Sequence, residues 1–225
     1  DASLALINSP SETSISWHDI RSRRMFIREL TGMIVDGYRK YLICKDPGCA
    51  MDEFSRFKIL CALKKGPFGV TTINRLAEQV LGDEGLIPRA QSLRNPWYRG
   101  RPVLITRNDY NLGLFNGDIG IALPDPDTSD DELHVYFPGS AGEFRRFPIH
   151  ALSVHETVYA MTIHKSQGSE FDHVALILPD KDYPLLTREL IYTGLTRARQ
   201  TVSVWGTESV LRSSILRKIE RTSGL

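Results

Sequence analysis

The sequence predicts an α/β protein in which a parallel sheet, covered by helices on both faces, is interrupted by a small β module. Three observations carry that expectation. Wholly apolar runs such as Ile59-Leu-Cys-Ala-Leu63 and Val174-Ala-Leu-Ile-Leu178 suit strands buried on both faces, as in parallel sheets. Stretches with apolar residues three and four apart separate such runs and read as amphipathic helices. Between Trp97 and about Val154 that period vanishes, and short strand-like runs alternate with Asn-Asp, Asn-Gly and Pro-Gly turns.

Taken in order, residues 1–19 are Ser-rich and read as an irregular entry. From about Asp19 a helical stripe follows through Ile20, Ile27, Leu30, Ile34, Tyr38 and Tyr41, with Arg21, Arg23, Arg24 and Arg28 on a solvated face. Lys45-Asp-Pro-Gly48 signals a turn, Met51–Phe57 a short helix, and Ile59–Leu63 a strand. Lys64–Val70 breaks the pattern before a helix over Thr71–Leu81, with Thr71 or Thr72 as N-cap and Gly82 as stop. The β module contains Pro102–Thr106, Asp118–Leu123, His134–Phe137 and Phe144–Ile149, and the acidic run Asp125–Glu132 reads as a solvated hairpin tip. After it come a strand over Val158–Ile163, a strand over Val174–Leu178, a helix over Thr187–Ala198, a strand over Thr201–Trp205 and a helix over Glu208–Ile219. The expected organisation is thus a discontinuous domain, 1–95 and 156–225, around an insertion at 96–155.

The 225 residues are 41% hydrophobic and 24% charged, which excludes a disordered or fibrous chain. A net charge of +1 excludes nucleic-acid binding by bulk charge and leaves a local basic groove open. Cys44, Cys49 and Cys61 lack the spacing of a redox or zinc motif and read as reduced thiols, in keeping with a cytoplasmic protein and no metal site. No membrane partner is expected, because no run of about eighteen apolar residues occurs. A chain opening on Asp1 reads as a piece of something longer.

Two segments concentrate chemistry, and both are expected at carboxyl ends of strands, where open parallel sheets bind ligands. Met161-Thr-Ile-His-Lys-Ser-Gln-Gly-Ser-Glu-Phe-Asp172 gathers hydroxyl, amide and cationic donors around Gly168, a composition suited to phosphates. Leu190-Ile-Tyr-Thr-Gly-Leu-Thr-Arg-Ala-Arg199 places Thr196, Arg197 and Arg199 near the end of a helix held by Leu190, Ile191 and Leu195. A guanidinium there stays charged and matches phosphate oxygens with its fork.

These residues carry a resemblance. TIHKSQGSEFD (162–172) is similar to motif V, and YTGLTRAR (192–199) to motif VI, of superfamily 1 DNA helicases. FKILCALKKGPFGVTTIN (57–74) resembles the region around motif IV, and WYRGRPVLITRNDYNLGLFNGDIG (97–120) resembles the inserted β module of the RecD family, the alpha subunit of exodeoxyribonuclease V in the RecBCD helicase-nuclease. The likeness runs from about Phe54 to the last residue.

The resemblance implies a RecA-like parallel sheet with helices on both faces, interrupted by a small SH3-like β-barrel, and an ATP-dependent 5′–3′ DNA helicase acting in double-strand break repair and recombination. It implies Arg197 as the arginine finger and Gln167, Gly168 and Glu170 beside the nucleotide. Thr162, His164, Lys165 and Ser166 are implied along single-stranded DNA, with Lys64, Lys65 and Arg199 as weaker candidates. Implied partners are single-stranded DNA, the N-terminal helicase lobe of the same protein, and the beta and gamma subunits of exodeoxyribonuclease V. ATP and Mg2+ are expected in the intact helicase and not in this chain alone. No glycine here is followed by lysine, so no GK[ST] phosphate loop is present, and isolated activity is not expected. The other expectation is a subunit-docking and single-strand-binding module without motor activity.

Overall fold

The computed structural model describes residues 14–89, 96–127, 132–139 and 142–218. In chain order they form β1 (Ser14–Asp19), α1 (Arg23–Ile43), α2 (Pro47–Arg56), β2 (Phe57–Cys61), α3 (Val70–Asp83), β3 (Pro102–Ile105), β4 (Ile119–Pro124), β5 (Leu133–Pro138), β6 (Phe144–Pro148), β7 (His155–Thr157), β8 (Ala160–Thr162), β9 (Phe171–Ile177), α4 (Arg188–Leu195), β10 (Ala198–Gly206) and α5 (Glu208–Leu216). They fall into two compact units, one drawn from Asp1–Arg28, Phe57–Thr72 and Ala160–Leu225, the other from Glu29–Arg56 and Ile73–Tyr159.

The first unit is built on a five-stranded sheet, order β1-β10-β9-β2-β8, in which every neighbouring pair is parallel. All five residues of β2 are buried, as are Val174–Ile177 of β9, so both faces are covered. Register assigns the faces. Leu60, Leu176 and Val204 are level with one another and share a side, and Trp205, Ile177 and Cys61 share the other. On the first side α4 lies so close that a Cβ on Gly194 would come 2.8 Å from Leu176 Cδ1. On the second, Trp205 stacks on His18 at 4.1 Å and meets Phe26, from the first turn of α1, edge-on at 5.6 Å.

Several expectations change at the level of elements. Residues 14–19 form an edge strand in register with Thr201–Gly206, although read as irregular; residues 1–13 lie outside the described residues. An edge strand needs little apolar content, and hydrogen bonding to β10 outweighs the weak propensity of a Ser-rich segment. Along α1 the buried stripe passes through Phe26, four residues before Leu30, while Ile27 is 36% exposed. Helix α2 starts at Pro47 rather than Met51: proline suits the first helical position, and Asp46 accepts the Cys49 N–H at 2.8 Å. That early start folds Cys49 against the end of α1 and joins it to Cys44 in a disulfide, Cα–Cα 5.8 Å, which corrects the reading of three reduced thiols; Cys61 is free and buried. Thr71 and Thr72 lie inside α3 and donate to the Lys64 and Gly66 carbonyls, clamping the preceding loop rather than capping the helix. The helix runs through Gly82, and the chain turns away at Gly85, whose φ is +68°.

The second unit holds an antiparallel sheet of order β6-β5-β4-β3-β7. Val103, Ile105, Leu114, Ala122, Val135 and Phe137 form its core cluster. Gly120 is required there, since a Cβ would meet Val135 Cγ1 at 2.7 Å. The single strand expected over Val158–Ile163 is shorter, β8, and it follows a separate strand, β7, that pairs with β3 instead. Asp125 departs from the solvated tip expected of the acidic run. It is buried and accepts from Arg146 at 2.7 Å; residues 128–131 lie outside the described residues. A buried phenol network completes this unit: Tyr38 donates to the Tyr159 carbonyl, Tyr41 to the Gly100 carbonyl at 3.0 Å, and Tyr98 to Glu78 at 2.9 Å. Among the described residues no helix is long and apolar enough to cross a membrane.

Candidate functional site

The first segment leaves the carboxyl end of β8 and must reach the start of β9, because parallel strands cannot be joined by a tight turn. Thr162 is level with Cys61, and Cys61 with Ile177, whereas β9 begins at Phe171. Residues 163–170 therefore cross back from the carboxyl to the amino end of the sheet. A 3-10 turn, His164–Ser166, starts this return, and Gly168, at φ +83°, reverses the backbone where an L side chain would be strained. The Ser166 hydroxyl is fully buried and donates to the Ile163 carbonyl at 2.8 Å. The Thr162 hydroxyl accepts the Lys165 N–H at 3.3 Å. His164, Lys165, Gln167, Ser169 and Glu170 are exposed along this stretch.

The second segment enters at the opposite end from the one expected. Thr187 caps α4, accepting the Leu190 N–H. Helix α4 then delivers Thr196, Arg197 and Arg199 to the amino end of β10, where Ala198 is level with Phe171. The expectation of two carboxyl-end sites is thus corrected: one segment starts at that end, and the two meet at the other. The reason is topological, since a helix preceding a parallel strand ends where that strand begins.

Arg197 joins the two segments. Its Nε donates to the Thr193 carbonyl at 3.2 Å, one Nη to the Ser169 carbonyl at 3.0 Å and the other to the Thr196 hydroxyl at 3.4 Å. Its own carbonyl accepts the Phe171 N–H at 2.8 Å. All three side-chain partners are neutral oxygens, which leaves the positive charge uncompensated by them. Phosphate oxygens would make stronger, charge-assisted bonds with the same fork. Arg199 instead donates to Glu170 at 3.1 Å and lies 4.0 Å from Asp172.

Lys64 and Lys65 are exposed in the loop after β2, at the carboxyl end, on the strand beside β8. The structure thus brings Lys64 and Lys65 to the same sheet end as Thr162, and Arg197, Arg199 and Glu170 together at the other. One residue escaped the sequence reading: Lys58 in β2 is 1% exposed, with its amine 5.8 Å from the Phe171 ring centroid. Burial holds its pKa well below 10.5. A lysine inside an apolar strand was the available signal. No three His, Cys, Asp or Glu side chains that could hold a metal come together among the described residues.

Comparison with known proteins adds an independent line. Residues 157–205, spanning β8 to β10, match the UvrD-like helicase C-terminal domain. The "RecBCD enzyme subunit RecD" of Mycolicibacterium smegmatis is 39% identical over all of this chain and 38% of its own length. That of Mycobacterium tuberculosis is 42% identical over 78% of the chain and 29% of its length. The "ATP-dependent RecD2 DNA helicase" of Deinococcus radiodurans is 32% identical over 72% and 22%. Among solved structures, a Pif1 helicase from Bacteroides in complex with ADP-AlF3 and ssDNA aligns with 79% of this chain and 48% of its own at 16% identity, TM-score 0.41. This chain therefore spans well under half of the curated relatives it matches. With the UvrD-like match lying over the two segments joined by Arg197, the chain belongs to the RecD family of superfamily 1 helicases and corresponds to its helicase C-terminal part.

Proposed function

We propose that the chain is the second, RecA-like motor lobe of an ATP-dependent DNA helicase of the RecBCD type, moving 5′–3′ on single strands in double-strand break repair and recombination. In this reading its motor domain is residues 1–95 and 156–225, and 96–155 is an SH3-like module. The observation that carries it is Arg197: a guanidinium set between the two segments on exchangeable neutral acceptors. When ATP and Mg2+ are bound between this lobe and an N-terminal one, hydrolysis releases the γ-phosphate. This chain's part is to bring Arg197 to that phosphate, worth ~10³ to 10⁵ in rate for such fingers, with Gln167, Gly168 and Glu170 shaping the flanking turn. Thr162, His164 and Lys165 lie along the DNA backbone, while Ser166 pins the turn that presents them. Lys64, Lys65 and Arg199 are secondary contacts.

The chain alone does not hydrolyse ATP in this reading, since the phosphate-binding groups belong to the other lobe. ATP turnover by the purified 225-residue chain would overturn that point. The test of the finger is Arg197→Ala in the intact helicase, read as DNA-stimulated ATP hydrolysis. Loss of turnover with ATP binding kept supports the assignment, and unchanged turnover sinks it. The beta and gamma subunits of exodeoxyribonuclease V are the proposed partners. Pull-down with and without residues 96–155 distinguishes a motor lobe from a docking module, because a motor lobe assembles without that segment.

A further inference from the structure

Residues 107–117, between β3 and β4, are tied down along their length. Asp109 Oδ1 accepts the Asn111 and Leu112 N–H groups at 3.1 Å each, Asn108 accepts that of Asn116 at 2.9 Å, and Asp118 accepts that of Phe115 at 2.7 Å. Asp109 and Leu114 exchange backbone hydrogen bonds of 2.7 and 3.0 Å. Arg145 donates to the Gly113 and Leu112 carbonyls, and Leu114 is sunk in the core cluster. Yet the two rings carried by this loop face solvent: Tyr110 is 79% exposed and Phe115 49%, with centroids 6.2 Å apart at 79°. Hydrophobic burial does not explain such a pair, because most of their surface stays wet.

Beside Tyr110 lies a cavity of about 610 Å³ lined by Arg107, Asn108, Asp109, Asn111, Ser153 and Val154. Arg107 is exposed and has no ion-pair partner among the described residues. Pre-positioned ring faces stack on any base, a guanidinium meets phosphate, and the exposed Asn111 amide can reach a base edge; together these are the elements of a sequence-tolerant single-strand contact. We propose that Tyr110 and Phe115, with Arg107, form a base-stacking contact for single-stranded DNA, outside the two helicase segments. The inference rests on the DNA-binding reading above.

The test uses the 225-residue chain and two labelled probes of equal backbone charge, dT20 and an abasic 20-mer, read by fluorescence anisotropy at fixed salt. Tyr110→Ala with Phe115→Ala should weaken dT20 binding about tenfold and leave abasic binding unchanged. Tyr110→Leu with Phe115→Leu keeps apolar bulk without π faces and should show the same selective loss. Arg107→Gln should weaken both probes and reduce the salt slope by about one. Thr162→Ala with His164→Ala should weaken both probes alike. Unchanged dT20 binding by both ring variants overturns this inference alone and leaves the rings as a protein contact. Equal loss on both probes also overturns it. Absence of binding by the unsubstituted chain overturns the DNA-binding reading and this contact together.

Discussion

Strand β2 of the parallel sheet buries all five of its residues, whereas β6 of the antiparallel sheet buries none of its five completely. The difference is first one of position, since β2 lies between β9 and β8 whereas β6 is an edge strand, as is β1 of the parallel sheet, which also buries none of its residues completely. Parallel strands are joined by crossovers, so helices cover both faces and polar residues are pushed into the connecting stretches. There Thr162–Glu170 and Thr196–Arg199 collect; most of their hydrogen bonds are local, and Arg197 to the Ser169 carbonyl and Arg199 to Glu170 tie the two together. In the antiparallel sheet β3, β4 and β5 are likewise buried in unbroken runs of four residues, and the connecting loops project from that core. The loop 107–117 spends its polar groups on holding itself and leaves aromatic rings in solvent. One sheet thus presents a charge on exchangeable contacts, and the other presents ring faces on a fixed scaffold.

The sharpest way to break this contrast is at Arg197. Replacement by Ala in the intact helicase should cut DNA-stimulated ATP turnover by ~10³ or more while leaving thermal stability nearly unchanged, because its partners are exposed or replaceable by water. A comparable loss of stability would make the residue a structural clamp instead. The antiparallel core is expected to answer to packing. Gly120→Ala, which drives a Cβ to 2.7 Å from Val135 Cγ1, should lower urea stability by about 2 kcal/mol. Gly32→Ala in α1 has nothing within 4 Å and should raise it by about 0.5–1 kcal/mol. Equal responses at the two glycines would show that the core relaxes freely.

A smaller effect follows from the buried carboxylate. Asp125→Ala removes the acceptor of Arg146 and of the Asp127 N–H and should cost about 1–2 kcal/mol, measured by urea unfolding. Asp127→Ala, at the 69% exposed partner, should change little. A further signal is a slope. Lys58 is held below 10.5 by burial, so between its folded value and 10.5 the unfolded chain binds a proton that the folded chain does not. Stability contributed by this group therefore rises with pH across that window and levels off above it. Lys58→Met should flatten the rise, which amounts to at most about 1.4 kcal/mol per pH unit. An unchanged slope would show that the amine keeps its charge.

Much of the fold was legible because burial on both faces leaves an uninterrupted apolar run. Phe57–Cys61 and Val174–Ile177 announce themselves that way, and the turn pairs between 97 and 154 announce the antiparallel module. Thr187, expected inside its helix, instead caps α4, and Thr207 caps α5, two hydroxyl signals that stand in the sequence just before a periodic stretch. What was not legible depended on partners far along the chain. Ser14–Asp19 is a strand because β10 lies beside it, and Cys49 meets Cys44 because α2 starts early on Pro47. Glu170 and Arg199 are 29 positions apart, and no spacing rule links them.

The residue types of the candidate site were therefore set by the sequence alone: a donor-rich turn around Gly168 and Thr196-Arg-Ala-Arg199 after an apolar stripe can be read without coordinates, because composition dictates which charges and hydrogen bonds are available, although the helix expected to reach Ala198 stops at Leu195 and Arg199 lies on β10. Their arrangement was decided only by the tertiary structure. The crossover carries 163–170 from one end of the sheet to the other, so the arginines gather at the amino end while Thr162, Lys64 and Lys65 stay at the carboxyl end. Strand order and register fix that separation, and they arise from pairings between segments too distant in sequence for local pattern to encode.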